Sequence, residues 1–215
     1  QDWVEDPPNQ DPRHARVRWR NLLPVLAAEG ANAERLGQTA ASLSLARDAL
    51  EEQLAAAFVH HVPLDPAGYA WVDARAWGHW GDDLALRLLS RLLRSLGGEA
   101  VSPRLERTRS LLCRLRQGQG GTLSGCRVAV DGERVLFCRE SGRMAAALPV
   151  LPGRDVVWDR RFRARLPADA PPGLCLGGLG PQGWRRLTKL SGGTLPPCPA
   201  LVRPTLPALF DQQGV

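Results

Sequence analysis

At 215 residues and 44% hydrophobic content, the chain is long enough for one large domain or two small ones and apolar enough to build real cores, which excludes wholesale disorder. No apolar run reaches about 18 residues and no charged stretch leads into an apolar segment of roughly 7–15, so neither a transmembrane helix nor a signal peptide is read and a cytoplasmic location is expected. The net charge of +6 points to an anionic partner, nucleic acid first, but 27 of the 28 basic residues are arginine, a skew that GC-rich coding also produces. Position, and not bulk charge, has to carry an RNA-binding argument.

Residues 1–12 read as a loop, because Pro7, Pro8 and Pro12 forbid regular structure. Asp11 before Pro12 predicts a helix start, with the helix running to about Gly30 and kinked or broken at Pro24. Asn32 is a cap candidate for a second helix to about Val59, with Leu36, Leu43, Leu50, Leu54 and Phe58 as its apolar stripe. The segment 63–68 is a turn, and 69–77 is a short strand or an extended connector. Residues 82–96 give the clearest helix. Leu84, Leu88, Leu89, Leu92, Leu93 and Leu96 form its buried face, Arg87, Arg91 and Arg94 its other face, and Gly97-Gly98 its stop. Ser102-Pro103 starts a further helix to about Gln117. Beyond 118, residues 125–140 are a hairpin about Asp131-Gly132, 155–166 a single strand, 175–184 a Gly-rich loop, and 196–211 a Pro-punctuated extended tail. The expected class is α+β: a helical subdomain followed by a small β-rich C-terminal subdomain, with divisions at 1–30, 31–117 and 118–215.

Five cysteines, none spaced C-x-x-C, read as reduced thiols, with Cys126 and Cys138 on neighbouring strands. No metal site is expected. His60-His61 reads as a solvated helix terminus, since adjacent residues point to different sides of a helix. Ser191-Gly192-Gly193 superficially matches the S-G-G-x-D-S nucleotide loop, but Thr194, Leu195 and Pro196 follow in place of Asp, Ser and a helix. The run Gly178–Gly183 lacks the flanking strand, helix and acidic residue of a dinucleotide fingerprint. Nothing in the chain makes a self-contained active site.

The opening stretch is different. "WVEDPPNQD" is followed at once by Arg16-Val17-Arg18-Trp19-Arg20, and guanidinium groups around a helix start suit the phosphate of a nucleotide or of an RNA backbone. Through Trp3, Glu5, Asp6, Pro7, Asn9, Arg16, Arg18, Arg20, Pro24 and Leu26, this stretch resembles the end of the catalytic domain of the tRNA(Ile)-lysidine synthetases, W-x-E-D-x-[ST]-N followed by an arginine-bearing helix and P-x-L. Pro8 stands where that family carries Ser or Thr. The helical region, the strand beginning at Thr122 and the ending over 156–211 follow the order of the family's alphaproteobacterial members.

The resemblance implies an ATP-dependent ligase, assisted by Mg2+, that attaches lysine to the wobble cytidine of an isoleucine tRNA with a CAU anticodon. It implies that the nucleotide-binding domain lies upstream of residue 1 and that this chain alone is inactive. Asp6, Asn9 and Arg18 would approach ATP. Arg18 and Arg20 both compete for the ATP-proximal catalytic position, with Arg20 preferred. For the tRNA grip two regions stand out: the helix face Arg87, Arg91, Arg94, and the basic strand Arg161, Arg163, Arg165 with Arg160, Arg185, Arg186 and Lys189. Alternate residues of a strand share a face, which suits a phosphate track. The alternatives are a non-catalytic RNA-binding adaptor and a tRNA thiolase, the latter disfavoured by the missing cysteine pair.

Overall fold

The structure, a computed structural model, describes residues 11–211. Trp3, Glu5, Asp6, Pro7, Pro8 and Asn9 lie outside the described residues, and so does any test of their assignment. The fold is α+β, as expected. The chain divides into two compact units, residues 1–53 and 54–215, a different partition from the divisions at 30 and 117.

The first unit is helical. Helix α1 (Ala15–Ala28) begins three residues later than expected, after N-cap His14. The carboxylate of Asp11 accepts from the backbone N–H of Arg13 (2.9 Å) and from its guanidinium, closing a turn in which His14 N donates to Asp11 O. That local alternative competes with a helix start at Pro12. Pro24 neither ends nor divides the helix, which continues four residues past it. Helix α2 (Ala33–His61) is capped by Asn32, whose side chain accepts from Arg35 N at 2.9 Å. Its apolar stripe behaves differently along its length. Within the first unit Leu36 and Leu43 are exposed, Leu43 by 67%. Only from Leu54 onward, inside the second unit, do its residues enter a core.

The second unit is built on a five-stranded antiparallel sheet. Strands β1 (Leu64–Asp65) and β2 (Tyr69–Asp73) come before the helices; β3 (Gly121–Leu123), β4 (Cys126–Asp131) and β5 (Arg134–Arg139) come after them. The order is β1-β2-β5-β4-β3, so β2 pairs with β5, Tyr69 against Cys138 and Asp73 against Arg134. The helical and strand regions therefore interlock. Gly132, with φ +58°, is the first central residue of the β4–β5 hairpin loop, where a left-handed backbone suits glycine.

On one face of this sheet lie α3 (Ala76–His79), α4 (Asp82–Gly97) and α5 (Leu105–Arg116). Apolar residues of α4 recur at 85, 88, 89, 92, 93 and 96, a helical period, and all are buried against Val72, Cys126, Val128, Val135 and Phe137. Each fully buried leucine contributes on the order of 1.5–3 kcal/mol. Gly98, with φ +66°, ends α4 in the left-handed cap that only glycine adopts freely. Arg116 closes the helical layer by donating to Trp77 O (2.9 Å), Trp80 O (3.1 Å) and Asp82 (2.7 Å). The opposite face of the sheet packs Leu136 and Cys138 against Val202, with Trp71 and Leu201 alongside. Cys126 and Cys138 thus sit on adjacent strands but on opposite faces of the sheet. Burial pushes the Cys138 thiol up to about 11, and burial also pushes Cys126 up, so both are held protonated.

The rest of the chain forms two small sheets. Residues 155–166 are a hairpin and not one strand: β7 (Asp155–Trp158) turns through Asp159 and Arg160, both at positive φ, into β8 (Phe162–Arg165). The Gly-rich stretch expected as a loop is strand β9 (Cys175–Gly178) followed by helix α6 (Gly180–Leu190). β9 is the centre of a sheet with β6 (Leu148–Pro149) and β10 (Pro207–Phe210). A Cβ at Gly177 would meet Ala147 Cβ at 2.7 Å, so the glycines serve close packing and not a mobile loop.

One buried ion cluster joins these parts. Asp159, its side chain 2% exposed, receives Arg139 in a two-point contact (2.8 and 2.9 Å), Arg161 Nε (2.9 Å) and Ala145 N (2.9 Å). Arg139 also donates to Gly97 O, Gly125 O and Arg143 O. Burial works to raise the Asp159 carboxyl, but the bonds from Arg139 and Ala145 and the two guanidinium charges outweigh it and hold the group below the ordinary carboxylate value.

Asp159→Asn leaves two guanidinium charges buried without a counter-charge and should destabilise the fold by about 3–5 kcal/mol in urea titrations. Because the folded-state value is depressed, the Asp159 contribution is complete above about pH 4 and is lost as pH falls through the lower folded value. The urea midpoint of the parent chain should therefore drop more between pH 6 and pH 3 than that of the variant. An equal drop would show that the cluster is not a source of acid sensitivity.

Candidate nucleic-acid interface

The fold sorts the arginines into those taken up by the structure and those left at the surface. Arg139 and Arg116 belong to the first group, and so does Arg203, which donates to Cys198 O and stacks over Trp184 at 4.9 Å. Arg134 lies over Trp71 at 4.6 Å. A sequence count gives no hint of this division.

Arg161 falls on the structural side. Its side chain is 3% exposed. It donates to Asp159, faces Gly68 O and Thr205 O at 3.5 and 3.4 Å, and lies over the Phe162 ring at 4.7 Å. It occupies the β7–β8 turn and does not share a strand face with Arg163 and Arg165. The expected three-arginine track is corrected to two residues. Arg163 and Arg165 do share the exposed face of β8, while Phe162 and Ala164 pack inward. Asp155 stands opposite Arg165 in the register and tempers the charge there. Arg160 is exposed at the turn, and Arg185, Arg186 and Lys189 are exposed on α6.

Arg87, Arg91 and Arg94 do lie on the side of α4 away from the leucine face. Arg87 is half-buried and bonded to Asp83 at 2.7 Å, an i,i+4 pair. Arg91 and Arg94 line an open groove with Phe58, Ser95 and Ser102. Of the three, Arg94 and Arg91 offer the more accessible charge.

The arginines near the chain start are placed on α1. Arg18 donates to Pro12 O (2.9 Å) and Arg13 O (2.8 Å), fixing the turn that precedes the helix. Arg16 and Arg20, one helical turn apart, are exposed. No described partner joins Arg20 or Arg18 to a nucleotide-binding arrangement, and among the described residues no cluster of three His, Cys, Asp or Glu could hold a metal. Ser191-Gly192-Gly193 follows the C-terminus of α6, the negative end of the helix dipole and the wrong end for phosphate. The stretch 178–183 does have a flanking strand and helix, contrary to expectation, but β9 is the centre of an antiparallel sheet and builds no βαβ unit. No described helix is long and apolar enough to cross a membrane.

No family model matches the chain. In sequence it is similar to several curated proteins called tRNA(Ile)-lysidine synthase. It is 33% identical to that of Ruegeria pomeroyi over 77% of the chain and 38% of the relative. Identity is 28% with that of Anaplasma marginale, over 76% of the chain and 36% of the relative. It is 30% with that of Wolbachia pipientis wMel, over 74% and 38%. The chain thus spans little more than a third of the length of these relatives, and the resemblance read from its residues holds over about three quarters of its own.

Two substitutions separate structural from surface arginine. Arg161→Ala removes a buried charged hydrogen bond and should cost roughly 1.5–3 kcal/mol in thermal or urea unfolding. Changing Arg163 and Arg165 together to Ala should stay within about 0.5 kcal/mol of the parent. Equal losses from both would contradict this division.

Proposed function

We infer that this chain, a relative of the tRNA(Ile)-lysidine synthases over three quarters of its length, is part of an ATP-dependent ligase that joins lysine to the wobble cytidine of an isoleucine tRNA with a CAU anticodon, and that its own share of the work is to hold the tRNA. The observation that carries the reading is the 33% identity over 165 residues to the Ruegeria pomeroyi relative. In the reaction, the C2 oxygen of the cytidine takes the adenylyl group of ATP with release of pyrophosphate. The lysine amine then attacks C2 and AMP leaves. Among the described side chains, only Arg20 and Arg18 are proposed to stand near the ATP in that chemistry.

Physical support for the tRNA-holding share comes from charge placement. Arg94 and Arg91 on α4 and Arg163 and Arg165 on β8 are exposed guanidinium groups fixed on regular secondary structure. Groups of this kind bind phosphodiester oxygens and position a nucleic acid without reading its sequence. Each phosphate contact releases condensed counterions, so affinity falls with salt. Arg20 and Arg18 on α1, with Asp6 and Asn9, remain the residues proposed to approach ATP in the complete ligase.

The test assays the complete reading frame that encodes this chain, beside the chain itself, with ATP, Mg2+, lysine and an isoleucine tRNA transcript. Nucleoside digestion and mass spectrometry read lysidine. The reading expects lysidine from the complete product, none from the chain alone, and tRNA retention by both. Retention without lysidine from either would replace the ligase with a non-catalytic RNA-binding module. In anisotropy titrations, changing Arg163 and Arg165 to Ala should reduce the slope of log affinity against log salt by roughly 1.5, from about 0.7–0.9 per lost contact. An unchanged slope would remove β8 from the interface.

A further inference from the structure

A groove of about 420 Å³ opens beside the N-terminus of α5, lined by Arg104, Arg107 and Arg143 together with Ser102, Ser124 and Glu99. These residues come from separate segments of the fold. Ser102 and Arg104 belong to the α4–α5 connection, and Arg107 to the first turn of α5. Ser124 belongs to the β3–β4 turn, and Arg143 to the 3-10 turn Ser141–Arg143. Among the described residues, none of the three guanidinium groups has an ion-pair partner, and Glu99 bridges to none of them. All three are exposed, and with Glu99 they line one groove, which leaves a local excess of +2 by side-chain count.

The position is rigid. Arg143 O accepts from Arg139 Nη2, so the buried cluster at Asp159 fixes the backbone that carries Arg143. Ser124 sits at φ +49° in a turn whose carbonyl packs against Gly97, leaving no room for a Cβ there. The N-cap of α5, Arg104, makes no side-chain capping bond, so the first-turn amides are left to an external acceptor and add partial positive charge. Ser102 also lines the neighbouring groove that holds Arg91 and Arg94, so the two basic surfaces are continuous through it.

We propose that this groove binds a phosphodiester of an RNA backbone, with Arg104, Arg107 and Arg143 gripping the phosphate and Ser102 marking where the strand passes to Arg91 and Arg94. The proposal rests on the tRNA-holding reading and deepens it. Guanidinium forks match phosphate oxygens at two points, and Val101, Pro103 and Leu123 give the same groove an apolar wall for ribose. Spaced cationic positions along an open track suit a polyanion better than an isolated carboxylate.

The test titrates an isoleucine tRNA transcript with the chain by fluorescence anisotropy at several salt concentrations. The variants are the triple change Arg104→Ala, Arg107→Ala, Arg143→Ala and the single change Ser102→Glu, which keeps every arginine but places a negative charge at the junction. The proposal expects the triple variant to weaken binding and to lower the salt slope by about 0.7–0.9, the share of one phosphate contact, and Ser102→Glu to weaken binding in the same direction. Should the triple variant not fold, Ser102→Glu decides. Wild-type slope and affinity in the variants, with tRNA still bound by the parent, would overturn the groove and leave the tRNA reading standing. Failure of the parent chain to bind tRNA would overturn both. ATP binding by the parent that is lost in the triple variant, with tRNA affinity unchanged, would make this a nucleotide-phosphate site and overturn the RNA assignment.

Discussion

Asp159 is the constraint on which the second unit depends. A single carboxylate receives two guanidinium groups and a backbone N–H in a space that excludes solvent. Arg139 then extends the cluster to three backbone carbonyls, at the end of α4, the β3–β4 turn and the 3-10 turn at 141–143. A buried ion pair is not a general source of stability, because desolvation offsets much of the attraction. Its value here is positional. The cluster fixes where the small hairpin, the main sheet and the helical layer meet, and no apolar residue would specify that junction by direction.

The same cluster explains why arginine content is a poor guide to the surface. The segments 139–143 and 160–165 each contain one arginine committed to Asp159, Arg139 and Arg161, beside arginines left outside: Arg143 in the first, Arg160, Arg163 and Arg165 in the second. Charge that holds the fold and charge that faces solvent are interleaved at single-residue spacing. A turn residue and a strand residue differ in accessibility even when two positions apart, and that difference assigns Arg161 to the structure and Arg163 to the exterior.

The strongly periodic elements were legible in the sequence. Leu88, Leu89, Leu92, Leu93 and Leu96 of α4 repeat at helical spacing and are buried as expected, with Leu84 only partly so; Asn32 caps α2, and Gly98 ends α4. Two readings failed for identifiable reasons, and a third was incomplete. Asp159-Arg160 carries no glycine, so its left-handed turn was invisible and a hairpin read as one strand. The glycines at 177 and 178 signalled a loop, whereas they permit close packing of a central strand. The residues at 69–73 gave a strand but not its partner, since pairing with β5 is a long-range choice that local pattern does not encode. For the candidate interface, the helix face bearing Arg91 and Arg94 was legible from helical period. The groove around Arg104, Arg107 and Arg143 was not, because its residues converge from segments distant in the chain.

The pairing of β2 with β5 also sets an order of events during synthesis. Residues 69–73 leave the ribosome well before residues 134–139, so β2 has no neighbour on its inner edge while α4 and α5 are being made. For that interval the leucine face of α4 lacks the sheet that later covers it, and a chain in this state carries both a bare strand edge and a long apolar helix face. Such surfaces attract other nascent chains. The topology that interlocks the helical and strand regions so firmly in the finished unit therefore makes its unfinished state the one most in need of chaperone cover.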